Sequence, residues 1–402
     1  MVILIAFICL IVTFLVCRSC KSKYRNLNSP GINLPIIGHS YKLFSKTALS
    51  NPSAAIWEIY KKYHRNGILY VNTFSINTVW IGDFETLKYL FNHQGAIPRL
   101  NENILELALP PRKISGKEMT GVIMSDGDIW HQQRRFTLRT LRDFGFGKQG
   151  KTHSACFIIV FKIYVLGMEE LILEEVSQFK QLIDKNIDEP FDFNIKLNLP
   201  ILNALWKVTV GERFEYDNPR LLDIMERMNE TFKIFADPSQ ALIIAFPWIA
   251  KVFPSFARLD YALSTISSVI ELCEENIIKH KETLDVNAPR DFIDMALIEI
   301  ENNSDENSSF HGTLGFDNLK VTLFDLFLAG SETTSTTLTW AALYMVRYPE
   351  IQEMVQKELD NVVGVNRSPS MTDKPNLPYT EAVIMEIQRH ANIVPLGVQH
   401  FT

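Results

Sequence analysis

Cysteine is scarce in this chain, with five among 402 residues, at positions 9, 17, 20, 156 and 273. A disulfide framework needs a shorter and more cysteine-dense chain, so the pattern fits a reducing compartment. Only Cys17 and Cys20 share a C-x-x-C spacing, and they stand at the edge of an apolar segment. Neither an H-E-x-x-H motif nor paired Cys/His ligands occur, so nothing marks a zinc site. Excess positive charge is missing too: a formal net charge of -6 gives no footprint for nucleic acid. Internal repeats are absent. What is present is an ordinary packed composition, 47% hydrophobic and 21% charged, long enough for one large domain or two of usual size.

The N-terminus carries the longest apolar run. Val2–Cys17 is interrupted only by Thr13, and Arg18, Lys21, Lys23 and Arg25 follow it. The run falls a little short of the ~20 residues that cross a bilayer, which tilt or local thinning accommodates. Positive charge after the run, rather than before it, favours a signal anchor at residues 1–20 over a cleaved signal peptide. The rest of the chain then lies in the cytosol, where the N-x-S/T triplets beginning at Asn229, Asn302 and Asn307 go unused.

Beyond a turn-rich basic connector (residues 21–38), Pro52–Tyr63 reads as a helix with proline in its first turn. Ile68–Phe74 and Thr78–Gly82 read as two strands of a hairpin. Most of the remainder has helical periodicity. The longest predicted helix is Asp317–Tyr348, capped by Asp317, ended at Pro349 and on the order of 45 Å long. Glu301–Ser309 reads as a flexible polar connection before it. The fold class is therefore mainly α with a small β region.

Three constellations stand out. The long helix contains Ala329-Gly330-Ser331-Glu332-Thr333-Thr334, then Ser335-Thr336-Thr337. An interior glycine costs ~1 kcal/mol against alanine, and threonine is also unfavourable, so something must offset that composition. Small residues on one face let a flat object or another backbone lie close, and hydroxyls beside Glu332 could relay protons; equally, such a turn can simply tuck against a neighbouring helix. Glu386 and Arg389 are three apart, a spacing that pairs them along a helix face. Trp130 and Arg134 are four apart, either on a solvated basic face or as an indole N–H and guanidinium reaching a carboxylate.

In this order and separation the three resemble the cytochrome P450 family, with its W-x-x-x-R helix, its central (A/G)-G-x-(D/E)-T helix and its E-x-x-R helix. Leu34-Pro35-Ile36-Ile37-Gly38 is similar to the opening motif of the microsomal, family-2-like branch, although Ser29-Pro30-Gly31-Ile32 replaces the usual Pro-Pro-Gly-Pro. Ser125-Asp126-Gly127, Arg134-Arg135-Phe136, Leu141-Arg142-Asp143-Phe144-Gly145, Gly211-Glu212-Arg213-Phe214-Glu215-Tyr216 and Arg290-Asp291-Phe292-Ile293-Asp294 also match. That branch includes vertebrate drug- and steroid-oxidising enzymes and insect hormone-metabolising ones.

The resemblance implies a haem-thiolate monooxygenase with haem b as cofactor. It inserts one oxygen atom of O2 into a lipophilic substrate: a sesquiterpenoid or steroid hormone precursor, or a xenobiotic. Electrons would come from an NADPH-dependent flavoprotein reductase at the endoplasmic reticulum membrane. Trp130 and Arg134 would bond a haem propionate, with His400 reaching its other side. Ala329 and Gly330 would lie over the distal haem face. Glu332 and Thr333 would support dioxygen and deliver protons to it, and Glu386 and Arg389 would lock their helix to a later segment. Phe74, Asn101–Lys117 and Phe232–Phe246 are candidate lining for the substrate.

The sequence departs from the family pattern in two places. The family's F-x-x-G-x-R-x-C-x-G loop does not occur, and the last cysteine, Cys273, precedes the central helix, so the axial ligand is expected to be missing and the fold incomplete at its C-terminus. The expectation is that residues 39–402 form a monooxygenase domain inactive as written; the alternative is a non-catalytic, membrane-tethered fragment without haem. The second departure, residues 149–166, interrupts the family pattern and reads as untranslated sequence carried into the chain. Its seam creates Gly145-Phe146-Gly147-Lys148-Gln149-Gly150-Lys151-Thr152, a formal phosphate-loop match that lacks the preceding strand such a loop needs.

Overall fold

The computed structural model describes residues 26–34, 36–43, 50–74, 76–93, 120–145, 167–185, 190–237 and 248–397, with 240, 243, 246 and 400. Residues 1–20, expected to be an anchor, residues 101–117, expected to line the substrate, and residues 149–166 lie outside these. Among the described residues no helix is long and apolar enough to cross a membrane. The chain divides into two compact units, one of residues 1–108, 231–261 and 395–402, the other of 109–230 and 262–394.

The first unit is built around a hairpin. Helix α1 (Pro52–Tyr63) starts where the proline predicts, with the Asn51 side chain accepting from the Ala54 amide at 3.0 Å. Strands β1 (Ile68–Thr73) and β2 (Ile76–Ile81) pair antiparallel from Ile68↔Ile81 to Thr73↔Ile76. The second strand begins two residues before the sequence placed it, and Phe74 takes a φ of +47° to make the tight turn. Tyr60 ties helix to hairpin: its hydroxyl donates to the Gly67 carbonyl at 2.9 Å and accepts from the Gly82 amide at 3.0 Å. Tyr60, Leu69 and Val71 make the small core beneath. The short helix α2 (Phe84–Phe91) follows, capped by Asp83.

In the second unit, α3 (Gly127–Asp143), α4 (Met168–Lys185) and α5 (Phe193–Val210) lead to α6 (Pro219–Ala236), which runs on into the first unit. Two short helices there, α7 (Trp248–Val252) and α8 (Pro254–Ala257), precede α9 (Leu259–Thr283), which returns. Then come α10 (Phe292–Asn302), α11 (Gly312–Arg347), α12 (Pro349–Val362) and α13 (Pro378–Ala391). Helix α5 is buried along most of its length and packs on α4, α10 and α11, while α13 packs on α11 and α12. Trp206 of α5 meets Phe327 of α11 edge to face, with ring centres 5.6 Å apart. Side chains of that size contribute on the order of 2–3 kcal/mol each when buried.

Helix α11 is longer than predicted. It begins at Gly312, so Asp317 lies in its second turn rather than capping it, and its 36 residues reach about 54 Å. The reason lies in the connection before it, which is pinned rather than flexible. Gln132 accepts from the Ser309 amide at 2.8 Å, and Asn318 donates to the Ser309 carbonyl at 2.9 Å. With that segment held, Gly312 takes a φ of +53° and the helix starts at once.

Candidate functional site

The loop before α3 is fastened to α11 by one buried carboxylate. Oδ2 of Asp325 accepts the Val122 and Ile123 amides at 2.8 and 2.9 Å, and Asn318 Oδ1 accepts the Gly121 amide at 3.1 Å. Only glycine fits at 121: its φ is +83°, and a Cβ would stand 2.5 Å from Asp325 Oδ2. Asp325 belongs to no local pattern, and its partners lie 203 and 202 residues earlier.

That clamp sets the register of α3. Its inner face carries Gln133, Phe136, Thr137, Thr140 and Leu141, with Phe136 against Phe292 and Phe310. Trp130 and Arg134 fall on another side, half-buried and exposed respectively. The Arg134 guanidinium lies over the Trp130 ring, 5.3 Å from its centre, a cation–π contact. Among the described residues neither the indole N–H nor the guanidinium has an acceptor.

The central motif of α11 divides between two faces. Ala329 and Thr333, four apart, share an exposed face. Gly330 points the other way: a Cβ there would lie 2.3 Å from Leu205 Cδ2, so its smallness serves the approach of α5. Much of the hydroxyl run bonds back along the helix. Ser331 donates to the Phe327 carbonyl at 3.0 Å, Thr333 to Ala329 at 2.7 Å, Thr337 to Thr333 at 2.9 Å and Thr339 to Ser335 at 2.8 Å. This back-bonding and the packing of α5 offset the poor helix propensity of the segment. Glu332 is half-buried between the faces and accepts from Asn198 Nδ2 of α5 at 3.0 Å. Burial pushes its carboxyl above the usual range, and the Asn198 bond draws it partly back.

Glu386 and Arg389 form a bidentate pair on α13 with both bonds at 2.7 Å, and His390 stands 3.0 Å from Glu386. Arg389 holds the Glu386 carboxyl down to about 2. The pair is exposed, at 57% and 65%, and among the described residues it bonds only within its own helix. His400 belongs to the first unit, its ring 5.0 Å from that of Phe91 in α2. Phe74, also in that unit, is buried against Phe246 at 5.6 Å.

One buried cluster has the composition of a metal site: His280, Asp291 and Asp294. Its chemistry argues otherwise. His280 bonds the Asn276 carbonyl at 2.7 Å and Asp291 at 2.8 Å, while Arg290 grips Asp294 through two bonds of 2.7 and 2.9 Å. With a guanidinium already on Asp294 and His280 on Asp291, this is a structural clip. Cys273 is fully buried in α9, and burial pushes its thiol far up, so it offers no thiolate.

The described body is thus mainly helical, with Trp130 and Arg134 stacked on one helix and Glu332 and Thr333 beside Ala329 on the longest. The particular family follows from comparison. A model of the family described as Cytochrome P450 matches residues 29–402, and the chain belongs to that family. Cytochrome P450 2J5 of Mus musculus is 33% identical over 401 residues, covering 96% of this chain and 71% of that protein. Cytochrome P450 2K4 of Oncorhynchus mykiss is 32% identical over 398 residues, covering 98% and 71%. Cytochrome P450 2J2 of Homo sapiens is 36% identical over 309 residues, covering 75% of this chain and 56% of that protein. The family is one of monooxygenases, which are oxidoreductases, and it uses haem.

Proposed function

We propose that this chain builds the distal face and a propionate contact of a haem-thiolate monooxygenase. Its substrate is lipophilic: a sesquiterpenoid or steroid hormone precursor, or a xenobiotic. The observation that carries the reading is the exposed face of α11, where Ala329 and Thr333 lie one turn apart with Glu332 at the edge. When bound, haem b supplies the activation of O2 and the transfer of one oxygen atom. Trp130 and Arg134 would hold its propionate, since both are donors without a described acceptor and they stand together on α3. Ala329 allows close approach of a flat ring. Thr333 holds a proton at Oγ1, resting on the Ala329 carbonyl, and turns it outward by giving up that 2.7 Å bond. Glu332 replaces that proton, since burial keeps its carboxyl more readily protonated than an exposed one. Electrons come from an NADPH-dependent flavoprotein reductase, and residues 1–20 anchor the chain to the endoplasmic reticulum membrane with the body in the cytosol.

A second reading is a haem-free, membrane-tethered fragment, in which the exposed Glu386–Arg389 pair bonds only within its own helix among the described residues. The reduced carbon-monoxide difference spectrum of the 402-residue chain separates the two. A band of the haem-thiolate type supports the first. A spectrum without haem supports the second for this polypeptide. Within a haem-loaded enzyme, Arg134→Leu is expected to weaken haem retention at least tenfold, as loss of a charge-assisted bond implies. Unchanged haem dissociation would remove Arg134 from the site.

A further inference from the structure

We infer that Asn198 is a positioning residue for Glu332, keeping its carboxyl bonded in both protonation states; this rests on the proton-delivery role proposed above. Asn198 lies on α5 and is only 2% exposed. Its Nδ2 donates to Glu332 Oε2 at 3.0 Å, a charge-assisted bond while Glu332 is ionised. The other end of the same amide is the more telling. Asn198 Oδ1 is buried and meets no donor among the described residues. A buried carbonyl left that way costs free energy, and this one sits beside a group that becomes a donor when it takes up a proton. Half a turn of the amide about its last bond presents Oδ1 to the protonated acid, which then donates to it. One side chain thus donates to the carboxylate and accepts from the acid.

The amide is well placed for this because its helix is fixed. One turn earlier on α5, Asn194 Nδ2 reaches the Thr336 and Thr339 hydroxyls of α11 at 3.5 and 3.3 Å. Further along, Leu205 fills the space beside Gly330. With α5 held at both places, Asn198 cannot drift from Glu332, and the carboxyl keeps one direction through a proton cycle. A purely adhesive role, joining α5 to α11, predicts lost stability but no change in how Glu332 titrates.

The experiment follows the Glu332 carboxyl by infrared difference titration of the full chain in membranes, with the band identified by its loss in Glu332→Gln. Asn198→Leu removes donor and acceptor together. It is expected to raise the midpoint by roughly one pH unit, about tenfold in proton affinity. The pH profile of the haem-loaded enzyme should move the same way, and Asn198→Gln should return part of both shifts. Should the leucine variant fail to fold, Asn198→Ser supplies the same comparison with less disturbance. A midpoint and profile unmoved in these variants would overturn the inference. The underlying reading fails differently: Glu332→Gln would then leave the pH profile of turnover unaltered, while the infrared midpoint still judges Asn198.

Discussion

At Thr333 a single hydroxyl meets two demands. It is β-branched and exposed in the middle of a helix, which propensity disfavours, and its bond to the Ala329 carbonyl at 2.7 Å compensates. Alanine at this position removes the proton while improving propensity. Thr333→Ala is therefore expected to leave thermal stability unchanged or raised by about 0.5 kcal/mol. Product formed per reductant consumed should fall at least tenfold in the haem-loaded enzyme, and Thr333→Ser should restore much of it. Equal coupling in the alanine variant would exclude Thr333 from proton delivery. Glu386 works under different rules. Its carboxyl is held at about 2 by Arg389, so the ion pair contributes above the ordinary carboxylate range and is lost only as pH falls through that value. On an exposed helix face the contribution is small.

Between elements, the contact of α5 with α11 decides what the central motif can do. Gly330 is needed because Leu205 occupies the space of a Cβ, 2.3 Å from where one would stand. Gly330→Val should therefore destabilise by about 2 kcal/mol, the usual range for overpacking, despite the gain from removing a helical glycine. Leu205→Ala in the same chain should relieve part of that cost, so the double variant is less destabilised than the sum of the singles. Additive losses in denaturant melts would show that the two do not share this space. The sequence made the small residues visible but left two explanations for them. The packing separates them: Gly330 serves a neighbouring helix, whereas Ala329 faces outward.

For the molecule as a whole, the clip at His280 links three helices of the second unit. Asp291 caps α10 and takes His280 of α9, and Gly211, closing α5, lies against the same carboxylate, which a Cβ would approach to 2.7 Å. Burial lowers the proton affinity of His280, but Asp291 at 2.8 Å and, more weakly, the Asn276 carbonyl and Asp294 outweigh it, so the folded pKa is raised. The neighbouring charges are Asp291, Asp294 and the Arg290 paired to it. A raised histidine stabilises fully below its unfolded pKa, near 6.5, and loses that contribution as pH rises through the folded value. His280→Leu should lower stability by about 2 kcal/mol at pH 6 and by less at pH 9, read from thermal melts. A mutational loss independent of pH would mean the pair is not ionised.

Helix α1, the hairpin and the places of α3, α11 and α13 were legible in the sequence, because proline, alternation and helical periodicity act over a few residues. The same holds for the family, whose motifs are short and ordered. Distant partnerships were not legible. Asp325 clamps a loop 202 and 203 positions away, and Asn198 reaches Glu332 across 134. Neither residue belongs to a local pattern, since a lone aspartate or asparagine in a helix looks alike whether it faces solvent or a buried partner. The early start of α11 has the same origin, because Gln132 and Asn318 hold Ser309 from outside the segment. The sequence by itself determined the local elements and the family, through short ordered motifs. Tertiary packing decided which motif side chains stand open and which are shielded, because burial and hydrogen-bond partners are set by elements that meet only in the fold.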